Sequence, residues 1–303
     1  MSISQSFGAL EEKLNKNSEA VESSLSRFFD EKRIDDVVRA FLQTETYSLL
    51  GGGKRIRPFL VLEFCRMFGG NVKAAVPFAC AIEMIHTSSL IHDDLPCMDD
   101  DDLRRGKPTN HKVFGYANAL LAGDALLMRA FETVATAPVP DSAIRSAVAA
   151  LASSAGDFGM IGGQIMDVNN KVSEGTDIEK LKKLHRKKTG ALINCSVLLG
   201  CIAADLAWDD ARTIAAMKYA ENVGLTFQII DDILDVVGNE GTLGKNIGSD
   251  AQMGKVTFMN YYSVEEARAL AASLTAEAVS AIAEFDGSEV LTDFAVYLLE
   301  RDH

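Results

Sequence analysis

Two clusters of aspartates are the residues of this sequence best suited to chemistry. They comprise Asp93, Asp94 and Asp99 to Asp102 in the first cluster, and Asp231, Asp232 and Asp235 in the second. Carboxylates this dense repel each other, so they stay ionised together only beside a positive charge, most simply a divalent metal ion. The clusters therefore predict Mg²⁺ ions that bridge to the phosphates of a substrate.

The spacing within each cluster predicts how its carboxylates are presented. Asp231 and Asp235 are four residues apart, about 40° around a helix, so both face one direction. Asp93 and Asp99 could not share a face on one continuous helix. Pro96 interrupts it, so we expect the helix to end near Asp94 and Asp99 to return from the following loop. For residues 100–102, a solvated loop remains an equal alternative.

Helices must position both clusters. Thr176 with Glu179, and Ser263 with Glu266, fit the capping box at a helix start. Few stretches alternate with period two, so strands are not expected, and we predict an all-α protein of ten or more helices. The breaks fall at residues 50–53, 68–71, 96–108, 137–141 and 238–254. No linker divides the chain, which predicts one domain over residues 1–303.

Basic residues stand where an anion would need them. They are Lys54 and Arg57, predicted on one side of a starting helix, then Arg104 and Arg105 after the first cluster, and Lys188, Lys245 and Lys255 further on. A guanidinium suits a phosphate and lysine adds a point charge, although a lone lysine is more often a solvated surface group. His86 lies seven residues before Asp93 and shares its helix face, which favours a ligand contact. His92 and His111 carry no such argument.

Composition excludes several classes of function. The net charge of −13 argues against nucleic acid or an anionic membrane as the main partner. No Walker-type phosphate loop and no candidate for a nucleophilic triad is present. The five cysteines are odd in number and lack zinc-type pairing, which predicts reduced thiols in the cytoplasm. No signal peptide is visible at the N-terminus, and no apolar run approaches the length of a membrane span, so no membrane insertion is expected.

The motifs resemble those of the trans-isoprenyl diphosphate synthase family. Residues 90–108 resemble its first aspartate-rich motif, with the spacing of the bacterial and plastid type, and residues 227–235 resemble the second. Shorter matches follow in family order at residues 52–58, 162–164, 188–190 and 243–245. The resemblance implies an isoprenoid synthase-type helical bundle around a central cavity, a homodimer, and condensation of isopentenyl diphosphate with an allylic diphosphate.

The same resemblance implies a role for each motif residue. Asp93, Asp99 and Asp231, supported by Asp94 and Asp235, would hold Mg²⁺, three ions per site, with Mn²⁺ as the alternative metal. The allylic diphosphate would be held by Arg104, Lys188 and Lys245, and Thr189 and Gln228 would stabilise the allylic cation. Isopentenyl diphosphate would be held by Lys54, Arg57, His86 and Arg105. Gln164 and Lys255 complete the expected substrate-binding set.

Product length is expected to depend on the helix that carries Asp93. Ser88 and Ser89 lie about one turn below Asp93, followed by Ile85 and Met84. Fifteen-carbon producers of this type commonly have an aromatic residue at the position of Ser88, where it would floor the pocket. The small residue here favours geranylgeranyl diphosphate as product, with farnesyl diphosphate as the alternative.

Three other classes of protein fit the motifs less well. A class I terpene cyclase also uses an aspartate-rich motif, but two full motifs and a second set of cations favour condensation. A non-catalytic partner subunit would be expected to lose motif aspartates, and this chain keeps them. A plain acidic metal-binding protein would leave the ordered basic residues unexplained.

Overall fold

The computed structural model describes residues 3–29, 36–169, 177–237 and 255–301. Within these ranges the chain forms thirteen α-helices, which confirms the all-α prediction. They are α1 (Ile3–Phe28), α2 (Asp36–Leu49), α3 (Ile56–Met67), α4 (Val72–Asp93), α5 (Asn110–Phe114), α6 (Tyr116–Ala135), α7 (Asp141–Ala155), α8 (Met160–Val168), α9 (Ile178–His185), α10 (Ala191–Ala203), α11 (Ala211–Val237), α12 (Val264–Ile282) and α13 (Glu289–Glu300). A π-helical turn, Arg186–Gly190, joins α9 to α10, and a 3₁₀ turn, Phe258–Asn260, precedes α12.

Local signals set most helix ends. The helix α12 begins with the predicted capping box, in which the Glu266 amide donates to the Ser263 hydroxyl at 3.2 Å and the Ser263 amide donates to the Glu266 carboxylate at 2.8 Å. The cap of α9 is one residue later than predicted. Asp177 is its N-cap and accepts from the Lys180 amide at 2.7 Å, because an aspartate caps a helix as well as a threonine does. Thr176, Lys245 and segment 238–254 lie outside the described residues.

One short ribbon departs from the prediction that no strands would form. The antiparallel strands β1 (Leu103–Arg104) and β2 (Lys107–Pro108) pair Leu103 with Pro108. Between them Arg105 has φ 54° and Gly106 has φ 74°. Positive φ at both central residues is typical of a type I′ hairpin turn, which is why this loop closes as a ribbon.

Three clusters of buried side chains hold the helices together and share elements with one another. The first joins α1–α4 with α6, α7 and α10, the second joins α1, α3 and α10–α13, and the third joins α9, α11 and α12. The first and second clusters share α3 and α10, and the second and third share α11, so both aspartate-bearing helices, α4 and α11, are anchored in this core.

The helix α4 lies at the centre of the first cluster. By length and composition alone it could cross a membrane, so the expectation that no apolar run approaches a span is wrong for this helix. Its most apolar window is 72% buried inside the protein. Burial against neighbouring helices makes α4 a core helix, and its apolar character carries no separate membrane argument.

Candidate active site

A cavity of about 560 Å³ opens among α4, α6, α8, α10 and the π-helical turn. Its polar lining includes seven residues predicted for the site, namely Arg57, His86, Ser89, Asp93, Gln164, Lys188 and Thr189. Its apolar lining comes mainly from Leu120, Met160, Ile161, Ile165, Val168 and Leu192. The cavity thus combines charged groups with hydrocarbon walls.

The first aspartate cluster has the predicted geometry. Helix α4 ends at Asp93, and Asp94 is its C-cap. The loop then turns back, so that the Asp99 amide donates to the Asp93 carbonyl at 2.9 Å. Pro96 therefore separates the two carboxylates in sequence while the fold returns them to one end of α4.

Each carboxylate of this first cluster has a polar partner. The Gln164 amide donates to Asp93 at 2.7 Å, Arg104 Nε donates to Asp94 at 2.9 Å, and Lys255 Nζ donates to Asp99 at 3.4 Å. Burial raises the pKa of Asp93 to about 6, with Lys188 opposing the shift and Asp99 adding to it. Asp93 is therefore the member of this cluster with the most to gain from a further positive charge.

The second cluster divides into surface and buried members. Asp231 accepts from Arg301, whereas Asp232 is only 2% exposed. Asp232 accepts from the Gln228 side-chain amide and from the Phe258 amide, both at 2.8 Å. Asp235 lies on the same helix and is 4% exposed. Asp232 therefore serves as an internal anchor that orients Gln228.

Within the described residues, the two clusters do not form a ready-made metal site. Among the described residues, no group of three or more histidine, cysteine or acidic side chains lies close enough to hold a metal. Carboxylate oxygens are nevertheless the donors that Mg²⁺ and Mn²⁺ prefer, and both clusters supply nothing softer. The donor chemistry fits a hard divalent cation, with part of the coordination left to substrate oxygens.

Arg57 and Arg105 lie near His86 beside the first cluster, whereas Lys54 Nζ donates to the Tyr297 hydroxyl at 3.3 Å. We call the four residues predicted to hold isopentenyl diphosphate, Lys54, Arg57, His86 and Arg105, the diphosphate group. Burial lowers the pKa of His86 well below its usual value, and the charge of Arg57 lowers it further, so the imidazole is neutral near pH 7. Burial also lowers the pKa of Arg57 to about 10. Arg57 Nε and His86 Nδ1 are buried without a hydrogen-bond partner, which leaves capacity for a ligand.

The loop before α3 differs from its prediction. Helix α3 begins at Ile56, so Lys54 precedes it instead of sharing a face with Arg57. Gly52 and Gly53 have φ of 92° and 127°, which delays the helix. A Cβ on Gly53 would lie 2.7 Å from Arg105 Cζ, because the guanidinium of Arg105 rests on this loop. The glycines thus let two parts of the diphosphate group approach each other.

The π-helical turn connects the two aspartate clusters. Lys188 Nζ pairs with Asp167 at 2.5 Å, and the positive charge of Lys188 acts to lower the pKa of Asp93. The Thr189 hydroxyl donates to Gln228 Oε1 at 3.2 Å. A Cβ on Gly163 would lie 2.2 Å from the Lys188 backbone nitrogen, so only glycine allows α8 to approach the turn this closely. Short π-helical segments frequently occur at functional sites.

The residues predicted to set product length separate into two groups. Ser89 lines the cavity, and its hydroxyl donates to the His86 carbonyl at 2.8 Å. Ser88, Met84 and Ile85 are fully buried and are not among the lining residues. Their effect on product length stays a prediction.

Sequence reasoning missed His92. This side chain lines the cavity, and its Nε2 lies 3.1 Å from the Leu120 carbonyl on α6. A Cβ on Gly123 would fall 2.1 Å from that nitrogen. A glycine within a long helical pattern was the available signal, since it often marks a close approach of another chain segment.

Comparison with known proteins decides the family. The family model described as polyprenyl synthetase matches residues 39–288. This chain belongs to the polyprenyl synthetase family. The prediction of a prenyl diphosphate synthase, and hence of a prenyltransferase, is confirmed.

Relatives within the polyprenyl synthetase family are named for different products. A geranylgeranyl diphosphate synthase of Cyanophora paradoxa is 46% identical over 260 residues, covering 85% of this chain and 86% of that protein. A farnesyl diphosphate synthase of Bacillus subtilis is 44% identical, covering 82% of this chain and 83% of that protein. The crystal structure of an FPP/GFPP synthase from Zymomonas mobilis superposes with a TM-score of 0.83 at 36% identity, covering 94% of this chain and 98% of the other. Overall similarity therefore supports a short-chain synthase without selecting the chain length.

Proposed function

We propose that this protein condenses isopentenyl diphosphate with allylic diphosphates of five, ten and fifteen carbons, and that the 560 Å³ cavity holds the growing tail. The observation that carries the proposal is the character of that cavity. Asp93 and Lys188 border it together with the apolar side chains Leu120, Ile165 and Leu192. An allylic diphosphate likewise combines a charged head with a hydrocarbon tail.

The aspartates are proposed to hold the metal. Asp93, Asp99 and Asp231 would bind Mg²⁺ with support from Asp94 and Asp235, three ions per site, and Mn²⁺ could replace Mg²⁺. When bound, such ions would neutralise the charge that develops on the leaving diphosphate. Arg104 and Lys188 form salt bridges to Asp94 and Asp167, and we propose that both also contact the allylic diphosphate. Lys245, outside the described residues, keeps the same proposed role.

The cation left by ionisation would be met by oriented oxygens. The Gln228 side-chain amide donates to Asp232, so the Gln228 oxygen is turned away from Asp232 and accepts from Thr189. Thr189 borders the cavity, and its hydroxyl hydrogen is donated to Gln228. The lone pairs of the hydroxyl oxygen can therefore stabilise the positively charged carbon. Preorganised dipoles of this kind stabilise developing charge without reorganising during the reaction. The apolar walls would keep water from the cation.

The diphosphate group is proposed to hold isopentenyl diphosphate. Arg57 and Arg105 supply guanidinium charge, Lys54 supplies a point charge, and neutral His86 supplies an N–H donor. The double bond of isopentenyl diphosphate would then attack the allylic cation that remains after the bond to the diphosphate has broken. Loss of one proton to the released diphosphate completes the product.

Geranylgeranyl diphosphate is the proposed main product. Ser88 and Ser89 are small residues below Asp93, so neither presents an aromatic floor to the tail. The geranylgeranyl synthase relative supports this choice, and the farnesyl synthase relative keeps the fifteen-carbon product as the alternative.

We also propose a homodimer in the cytoplasm, built from one domain over residues 1–303. Leu121 and Met128 lie seven residues apart on α6 and are 53% and 66% exposed, a face suited to a second copy. All five cysteines are free thiols, in keeping with a reducing compartment. Light scattering on the purified protein would test the dimer, and a monomer at micromolar concentration would contradict it.

A product assay tests the activity and the site together. The protein, Mg²⁺ and labelled isopentenyl diphosphate are incubated with each allylic diphosphate, and the products are sized by chromatography. We expect twenty carbons, a fifteen-carbon end point would select the alternative, and no condensation would refute the proposal. Arg57→Gln should raise KM for isopentenyl diphosphate, whereas the control Lys73→Gln, at the far end of α4 about 30 Å from Asp93, should not.

A further inference from the structure

Arg55 stands between two members of the diphosphate group and differs from both. Lys54 is exposed and Arg57 borders the cavity, but Arg55 is only 3% exposed and points into the protein. Its backbone has φ 47° and ψ 41°, the left-handed conformation, and it is the N-cap of α3. A left-handed residue other than glycine is strained, and such strain persists only where the surroundings hold it.

The guanidinium of Arg55 supplies that restraint through three separate elements. It donates to the Leu49 carbonyl at the end of α2 at 2.6 Å, to Glu22 on α1 at 3.0 Å, and to Glu83 on α4 at 2.7 Å. The Arg55 and Glu83 side chains are 1% and 2% exposed. A bond between two charges this deeply buried is rigid, because losing either partner would leave the other charge without compensation.

Glu83 places this bond next to the second half of the diphosphate group. It lies three residues before His86, so the two side chains are neighbours on one face of α4. Its negative charge also reaches Arg57 and Arg105, where it raises the pKa of both arginines. One ion pair thus links the loop that carries Lys54 and Arg57 to the turn of α4 that carries His86.

We propose that Arg55, anchored by Glu83, is a positioning residue for isopentenyl diphosphate, and that it sets the register between residues 54–57 and His86. This inference rests on the proposed function of the diphosphate group. Arg55 contacts no cavity, so it would act only by holding the groups that bind substrate. The allylic side of the site, around Asp93 and Lys188, does not depend on this bond.

Two variants separate positioning from simple electrostatics. Glu83→Gln removes a negative charge beside an anion site, so a purely electrostatic role predicts tighter binding of isopentenyl diphosphate. A positioning role predicts the opposite, because the neutral amide of the variant no longer fixes Arg55. We expect KM for isopentenyl diphosphate to rise about tenfold, equivalent to about 1.4 kcal/mol, with KM for the allylic substrate unchanged. Arg55→Lys should behave alike, since an ammonium cannot span three partners in the guanidinium geometry.

A second ion pair with a buried glutamate provides the control. Glu45 on α2 is 1% exposed and accepts from Arg129 on α6 at 3.2 Å, and neither residue lines the cavity. Glu45→Gln should lower the thermal midpoint as Glu83→Gln does, but leave both KM values as they are. If Glu83→Gln fails to fold, Glu83→Asp keeps the charge and withdraws it by one methylene, and we expect a rise of about threefold in the same KM.

The outcomes distinguish failure of the inference from failure of the proposed function. An unchanged or lower KM for isopentenyl diphosphate in Arg55→Lys and in the Glu83 variants, with a raised KM in Arg57→Gln, would overturn the role of Arg55 alone. An unchanged KM in Arg57→Gln would overturn the assignment of the diphosphate group, and the inference with it. A selective rise in all of them supports both.

Discussion

The contact between Gly163 and the π-helical turn gives the sharpest single test of the site. In Gly163→Ala the new methyl would lie 2.2 Å from the Lys188 nitrogen, 2.6 Å from its Cα and 2.8 Å from the Lys187 carbonyl carbon. All three atoms are backbone, so no side chain can rotate away. Ordinary contact begins near 3.4 Å, so α8 and the turn must separate by about 1.2 Å to reach it.

That separation acts on stability and on catalysis by different amounts. Overpacking of this kind costs about 1–3 kcal/mol, and each kcal/mol lowers the thermal midpoint of a large domain by roughly 2–4 °C. The catalytic effect should be larger, since Lys188 and Thr189 are on the turn and Gln164 follows Gly163 on α8. A displacement of about 1 Å can cost on the order of a hundredfold in rate.

The measurement compares kcat at saturating substrates with the thermal midpoint. We expect Gly163→Ala to lose roughly tenfold to a hundredfold in kcat while it remains folded at the assay temperature. Gly190→Ala is the control, because it ends the same turn but its Cβ would meet only the His185 carbonyl at 3.5 Å. Normal kcat and normal stability in Gly163→Ala would refute the claim that this glycine positions the turn.

Three further predictions concern product length, acid stability and metal. Ser89→Phe and Ser88→Phe should both move the main product from twenty to fifteen carbons. Ser88 is 1% exposed, so the Ser88→Phe variant should also have a lower thermal midpoint. Unchanged products in both variants would contradict the claim that these positions limit product length. Burial lowers the pKa of His185 from 6.5 to about 4, so the stability of the native state should fall by up to about 3 kcal/mol as pH drops from 6.5 to 4. His185→Phe keeps the stacking on Phe258 and should lose less over that range in urea unfolding, and an equal loss would contradict this reasoning. Exhaustive chelation should abolish turnover and added Mg²⁺ should restore it, so full activity in the chelated protein would exclude the proposed metal role.

The chemistry of the site could be predicted from the sequence because the residues of each motif lie close together in the chain. A single proline, Pro96, lies between the pair Asp93 and Asp94 and the later Asp99, and its local effect ends the helix. Ser263 with Glu266 shows the same locality, since a capping box depends on four consecutive residues. The motifs that resemble the synthase family are likewise contiguous, and the comparisons confirmed the family.

Local rules failed where two conformations compete within a few residues. Asp177 and Thr176 are both good caps, and only the packed helix selects Asp177. Lys54 was expected inside α3, but Arg55 takes a left-handed conformation that its partners on three other helices maintain. The Arg105–Gly106 turn closed a ribbon where strands were not expected.

The sequence by itself determined which residues carry charge and which stretches are helical, since both depend on side-chain chemistry and on interactions within about four residues. Only the tertiary structure decided which of them meet. Gln164 reaches Asp93 across 71 residues, and Thr189 reaches Gln228 across 39. His92 enters the cavity wall because Gly123 leaves room for it. Such contacts depend on how apolar faces pack and on where a missing Cβ permits close approach, and neither is encoded in the spacing of any one segment.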